Sequence, residues 1–146
     1  MSFWKGPPLH SMKGYAMCFA CGKENPIGLK LHFHREGDSV SSEFVPGELH
    51  QGWPGIVHGG IINTLLDEAM CYVPYFQGLH CVTAKQEVRL RCPVSVGERL
   101  FIHAWPLRQT RRLIETAAEI TREDGTTMAE ASATMYIVND ARRDTT

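Results

Sequence analysis

The stretch PGIVHGGIINTLLDEAM, residues 54–70, gathers the residues of this chain best suited to chemistry. His58, Gly59 and Gly60 precede an apolar run that two adjacent carboxylates, Asp67 and Glu68, interrupt. If the run is a helix, the two glycines stand where the first backbone N–H groups have no intrahelical acceptor. Those donors, with the positive end of the helix dipole, suit a polarised carbonyl or a developing oxyanion. Gly59 lets a ligand approach the backbone with no Cβ in the way. His58 has two readings, as a general base or as a ring that holds the turn by hydrogen bonding. Adjacent residues on a helix lie about 100° apart, so Asp67 and Glu68 face different surroundings. A buried carboxylate needs a partner or a shifted pKa, and a raised pKa would make Asp67 a stronger base. Glu68, turned elsewhere, is read as a structural ion-pair partner.

Spacing adds a constraint. A reacting carbonyl sits about 3 Å from both its oxyanion donor and its attacking group or base. Gly59 and Asp67 are separated by about 12 Å of axial rise along one helix. One helix cannot present both to one carbonyl, whereas two antiparallel copies can, if a twofold axis brings Gly59 of one chain near Asp67 of the other. Cooperation between these residues therefore predicts a homodimer with two equivalent sites at its interface.

The elements that must position them follow from hydrophobic period. Ile61, Ile62, Leu65, Leu66, Ala69, Met70 and Val73 recur at three-to-four spacing, predicting a buried helix over 59–76 that Pro74 limits. LKLHFHRE (29–36) and SVSSEFV (39–45) alternate around Gly37-Asp38 as a hairpin, and residues 46–57, with Pro46, Gly47, Gly52, Pro54 and Gly55, suit a loop. Strands are expected at 82–91, 99–107, 111–123 and 126–138, the last two joined by the tight-turn dipeptide Asp124-Gly125. In the last strand Ala129, Ala131, Ala133, Met135 and Ile137 form one apolar face. The expectation is an α+β fold in which one antiparallel sheet of about five to six strands wraps around one long central helix. Residues 1–28 read as an N-terminal arm, 29–140 as one domain and 141–146 as a polar C-terminal tail.

Composition narrows the function classes. The 146-residue chain, with a formal net charge of −1, gives no bulk electrostatic basis for a nucleic-acid partner. No apolar run approaches membrane-spanning length and the N-terminus has no continuous apolar segment of signal-peptide type. Five cysteines without a framework rhythm predict reduced thiols and a cytoplasmic setting. Cys18 and Cys21 have zinc-ligand spacing, with His10, His32 and His34 nearby in sequence, but no second close pair accompanies them, so no metal is expected.

CFACGKENPIGLKLHF (18–33), PGIVHGGIINTLLDEAM (54–70) and the strands that follow resemble the hotdog-fold acyl-CoA thioesterases of the PaaI type, over about residues 18–138. The most specific signal is HGG with an acid nine residues after the His. The resemblance implies a hydrolase that cleaves an acyl-CoA to free acid and coenzyme A. In it Gly59 N–H polarises the thioester carbonyl, and Asp67 of the partner subunit acts as general base or nucleophile. It also implies a hydroxyl residue on the strand after the helix, a place Thr83 fits, and an upstream amide for which Gln51 is the candidate. Gly60 and Asn63 are further candidate substrate contacts. Arg108 and Arg111, with Arg112 across a hairpin turn and Lys85, Arg89 and Arg91 on another strand, read either as a clamp for coenzyme A phosphates or as a solvated charged face. Met70, Tyr72, Tyr75, Phe76 and Trp105 are candidates to line an acyl pocket. No metal or organic cofactor is called for beyond the coenzyme A of the substrate, and dimers are expected to pair into a homotetramer. Two other classes share these residues: a non-catalytic acyl-CoA-binding protein, and a hydratase or dehydratase acting on the acyl chain's carbons.

Overall fold

A computed structural model describes residues 16–140. Within the expected arm only residues from 16 onward are described; His10 and the tail 141–146 lie outside the described residues. The elements run β1 (His34–Glu36), β2 (Ser39–Phe44), α1 (Gly59–Phe76), β3 (Leu79–Leu90), β4 (Leu100–Gln109), β5 (Leu113–Arg122) and β6 (Thr127–Asp140). The strands form one antiparallel sheet in the order β1-β2-β4-β5-β6-β3. This is the helix-on-sheet fold expected, with α1 carrying the chain from the β2 side of the sheet to β3 at its far edge.

The helix packs against the sheet through Ile62, Leu65, Leu66, Ala69, Met70 and Val73, all buried. The face it meets is built from small residues in mid-sheet, Ala104, Ala118, Ala131 and Ala133, flanked by larger Ile102, Ile114, Ile120 and Met135. Small side chains under a helix let its axis approach the strands, and the larger ones close around its sides. Strand registry ties the helix ends to particular rows. Leu90 lies opposite Ala129, Ala129 opposite Ile120 and Ile120 opposite Ile102. Leu90 Cδ1 would lie 3.4 Å from a Cβ placed on Gly59, so the helix begins over this row. Thr83 heads a second row through Met135, Ile114 and Gln109, further along the helix.

Three local details differ from the sequence expectation, and the helix end at Pro74 is one that agrees with it. Strand β1 covers only 34–36, although Leu29, Leu31 and Phe33 are buried as their alternation predicts. The N–H groups of Leu29 and Leu31 bond Phe19 O (2.8 Å) and Ala20 O (2.9 Å), so the preceding loop takes the place of a strand partner. Pro74 lies inside the helix, which ends at Phe76. Near a C-terminus a proline forfeits one hydrogen bond, and closure is left to Gln77 and Gly78. Their N–H groups reach Pro74 O and Tyr75 O, with Gly78 at φ 79°. The Asp124-Gly125 hairpin is a turn from Arg122 to Gly125 followed by glycine at φ 85°, one residue longer than a two-residue loop. Strand β3 is bulged between Thr83 and Lys85, and Leu90 at its end is exposed.

Thr116 Oγ1 is buried under the helix with no hydrogen-bond partner among the described residues. Valine has the same shape without the unpaired hydroxyl. Thr116→Val is expected to leave stability unchanged or raise it by up to about 1 kcal/mol in urea denaturation. A loss of that size would mean the hydroxyl is bonded after all.

Candidate active site

The start of α1 is built by one side chain and two glycines. His58 is the N-cap, and its Nδ1 accepts a hydrogen bond from Gly60 N–H at 2.8 Å. The N–H groups of Ile61 and Ile62 both reach His58 O, at 2.9 and 3.2 Å. Of the first helical N–H groups, that of Gly59 alone has no acceptor among the described residues. An acceptor at Nδ1 puts the ring proton of neutral His58 on Nε2, on the exposed side. The hydrogen-bonding reading of His58 thus describes its Nδ1. Gly60 leaves room for this cap, since a Cβ there would lie 3.0 Å from His58 Nδ1 and the ring would have to shift. Gly52 seats the other side of the ring, where a Cβ would lie 3.3 Å from His58 Cδ2. Gly59 opens on a cavity of about 460 Å³ shared with Gly52, Trp53, Val57 and His58, and Trp53 is 82% exposed there.

The entry loop is held to the sheet. Val57 N–H bonds Val94 O at 2.8 Å, and Val96 N–H bonds Gly55 O at 2.9 Å. Gln51 braces this loop with its whole amide: Nε2 donates to Glu48 O at 2.8 Å and Oε1 accepts from Gly55 N–H. Asn63 donates from Nδ2 to Gly59 O at 2.9 Å, steadying the same turn from within the helix.

Asp67 lies two turns on. Its Oδ1 accepts from Thr83 Oγ1 at 3.3 Å, and Cys71 Sγ lies 3.8 Å from the same hydroxyl. Thr83 stands immediately before the β3 bulge, a feature that re-aims a side chain relative to a regular strand. Burial raises the Asp67 pKa above the ordinary carboxylate range, opposed by the Thr83 hydrogen bond. Burial, reinforced by the Asp67 charge, pushes the Cys71 thiol up to about 12. A half-buried carboxylate held by one hydroxyl is equipped to take a proton from water.

Glu68 points away from Asp67, as the helical angle requires, but the expected ion pair is not found among the described residues. It faces the loop before β1, where Cys18 Sγ donates to its Oε1 at 3.8 Å and Cys21 stands beside it. Burial raises the pKa of Glu68, and burial with the Glu68 contact raises that of Cys21. Sequence spacing did not connect Glu68 to these cysteines, because the junction joins residues 50 positions apart.

The remaining candidates are dispersed. Arg108 and Arg111 are exposed at the end of β4 and in the turn after it, level with the Thr83 row but three strands away from β3. Neither makes an ion pair among the described residues. Tyr72 stacks on Phe33 with ring centroids 4.7 Å apart and touches Tyr75 and Phe76. Met70 is fully buried under the helix. Trp105 alternates with buried Ala104 and so occupies the opposite face of the sheet, beside His103. The five aromatic and sulfur side chains proposed for an acyl pocket therefore do not form one lining.

Comparison with known proteins places this architecture. The family model described as thioesterase superfamily matches residues 54–129. A hypothetical thioesterase protein of Streptococcus pneumoniae TIGR4, solved with coenzyme A, superposes with a TM-score of 0.72 at 22% identity, covering 75% of this chain and 87% of that one. Alanine variants of the Streptococcus pneumoniae protein at an aspartate and at a threonine 16 positions further on have also been solved. The smu.793 protein of Streptococcus mutans UA159, bound to acetyl CoA, gives a TM-score of 0.72 at 21% identity, covering 75% and 90%. The PaaI protein of the E. coli phenylacetic acid degradation operon gives 0.73 at 18% identity, covering 77% and 83%. A search of curated proteins finds no match.

The cap itself is testable apart from any reaction. His58→Ala should lower stability by about 1 kcal/mol in equilibrium denaturation, and His58→Asn, whose short amide also caps, should recover most of it. Equal stability of all three proteins would remove the cap from this account.

Proposed function

The chain belongs to the thioesterase superfamily, and we propose that it hydrolyses acyl-CoA thioesters to a free acid and coenzyme A. One observation carries the reading: a single rigid helix presents an unbonded N–H at Gly59 and a half-buried, hydroxyl-bound carboxylate at Asp67. These are the two halves of a hydrolytic site on an acyl carbon. The thioester oxygen accepts from Gly59 N–H at the positive helix end, beside the cavity that Trp53 and His58 line. Asp67 takes a proton from water as the water oxygen bonds the carbonyl carbon. The tetrahedral intermediate then collapses, the C–S bond breaks, and the proton passes from Asp67 to the departing thiolate. Thr83 orients the carboxylate by donating to Oδ1, which leaves Oδ2 toward the water. The chemistry asks for no cofactor beyond the coenzyme A of the substrate.

The two halves are about 12 Å apart on their helix, so they serve different substrates. We assign each site to two subunits, Gly59 from one and Asp67 from its partner. The edge of β3 supports this pairing. It is 12 residues long, ends the sheet and carries Thr83, and no described strand covers its outer side. Such an edge is a template for a second copy. Two dimers would pair through the opposite sheet face, where Trp105 and Ala117 line a groove of about 450 Å³. Arg108 and Arg111 are the proposed contacts for coenzyme A phosphates, and Asn63 and Gly60 shape the helix start around the carbonyl. Gln51, already committed to its loop, positions that loop rather than the water. Asp67 and Thr83 are separated by 16 positions, as are the aspartate and threonine replaced in the Streptococcus pneumoniae protein. That protein and the Streptococcus mutans relative were solved with coenzyme A and acetyl CoA, which supports an acyl-CoA ligand. Five free thiols support a reducing compartment such as the cytoplasm. Among the described residues no helix is long and apolar enough to cross a membrane.

Two experiments test this reading. Asp67→Asn should keep the fold and lower thiol release from a panel of acyl-CoAs by about 10²-fold or more. Full activity would exclude Asp67 as the base, and thiol retention with a changed acyl chain in the unmodified protein would indicate a hydratase or dehydratase. Subunit exchange tests the shared site. Asp67→Asn and Gly59→Val chains should each be inactive, yet a one-to-one mixture should recover about a quarter of normal activity, because half the dimers hold one intact site. No recovery after verified exchange would place both residues in the same subunit's site.

A further inference from the structure

We propose that Cys18, Cys21 and Glu68 form a binding site for a zinc-class divalent ion that staples the loop before β1 to the middle of α1. This inference goes beyond hydrolysis and does not depend on it. The two Sγ atoms and a Glu68 carboxylate oxygen all lie within 4.8 Å of one another. That is a distance from which three donors converge on one ion with small side-chain movements.

The loop has the shape that such a site requires. Gly22 N–H bonds Cys18 O at 2.8 Å, and Glu24 N–H bonds Ala16 O at 3.0 Å, winding residues 16–24 into a tight knuckle. A Cβ on Gly22 would sit 2.4 Å from Ala16 O and 2.5 Å from Cys18 N. Only glycine closes this turn, and closing it brings the Cys18 and Cys21 thiols to the same side. The Cys-x-x-Cys-Gly spacing therefore works as a geometric device, independent of any second cysteine pair. The third donor comes from the helix instead.

Glu68 supplies the other half of the argument. It is partly buried and meets no cation among the described residues; of its two thiol neighbours, Cys18 is at 3.8 Å. A thiol is a weak donor and poorly compensates a carboxylate removed from water. A cation bound between the three groups satisfies all of them at once. Two thiolates with one carboxylate select zinc over magnesium or calcium, which take oxygen ligands. Binding breaks two S–H bonds, forms two metal–sulfur bonds and releases both protons to solvent. The three donors also line a cavity of about 200 Å³, from which water can complete a tetrahedron.

The test uses the full chain, untagged, stripped with a chelator under reducing conditions and then titrated with cobalt(II). The expected result is one cobalt per chain with intense thiolate-to-cobalt charge-transfer absorption, release of two protons per ion, and displacement by zinc. Cys18→Ser and Cys21→Ser should each lose the charge-transfer signal or most of it, Glu68→Gln should weaken cobalt binding at least about tenfold, and Cys92→Ser should change nothing. Absence of thiolate–cobalt absorption in the folded, reduced wild-type chain would overturn the proposal, whatever the variants do. So would a signal that survives Cys18→Ser undiminished, or one that Cys92→Ser abolishes.

Discussion

The rest of the structure depends on how closely α1 lies against the sheet. Ala104, Ala118, Ala131 and Ala133 leave room for the helix, and Leu65, Leu66, Ala69 and Met70 fill that room completely. Once those side chains are inward, the rotation of the helix is set, and every other residue on it acquires a fixed direction. Asp67 is turned toward β3 and Thr83, and Glu68 toward the loop that carries Cys18 and Cys21. A rotation large enough to exchange their surroundings would pull Leu66 or Met70 out of the core, at about 2–5 kcal/mol for each large side chain lost. Core packing is therefore what separates the two carboxylates into two chemical environments.

The same rigidity sets the helix start. Its first row lies over Leu90 in β3, and loop bonds to Val94 and Val96 hold the approach of the chain. His58 then takes one of the first N–H groups for its own ring, and its carbonyl takes two more. What remains without an acceptor among the described residues is the N–H of Gly59, a residue that lines the adjoining cavity. A helix dipole attracts an anion diffusely, whereas one unbonded N–H in a capped turn selects a position for one oxygen. The histidine thus leaves the first turn with fewer unbonded donors.

How far these features could be read from residues alone depends on the range of the interaction. The helix, its inward face and the alanine face of β6 were legible because each is a local period that burial enforces. The glycines at 59 and 60 were legible as a helix start because they stand directly ahead of the apolar period. The division of labour between them was not, because it depends on where the His58 ring settles. The β3 bulge has no composition signal, and it decides which way Thr83 points. The helix end was legible too: Pro74 sits in the last turn, where it forfeits one hydrogen bond that the helix end can spare, and the helix stops at Phe76. The Glu68–Cys18 contact spans 50 positions and joins a loop to a helix, so neither period nor spacing could announce it.

Placing two acids side by side on a buried helix is costly unless each has its own compensation. The charge of Asp67 raises the Glu68 pKa further, so the two carboxylates resist ionising together. The Thr83 hydroxyl relieves Asp67. Among the described residues Glu68 has only thiol donors, which form weak hydrogen bonds. A reactive carboxylate benefits from incomplete satisfaction, since unmet hydrogen-bonding capacity is what it offers to water. A carboxylate with no such task gains nothing from it. The helix therefore carries one acid bonded to a single hydroxyl, beside another that has two thiols within 4.8 Å. That asymmetry is what makes a cation the natural third partner of Glu68.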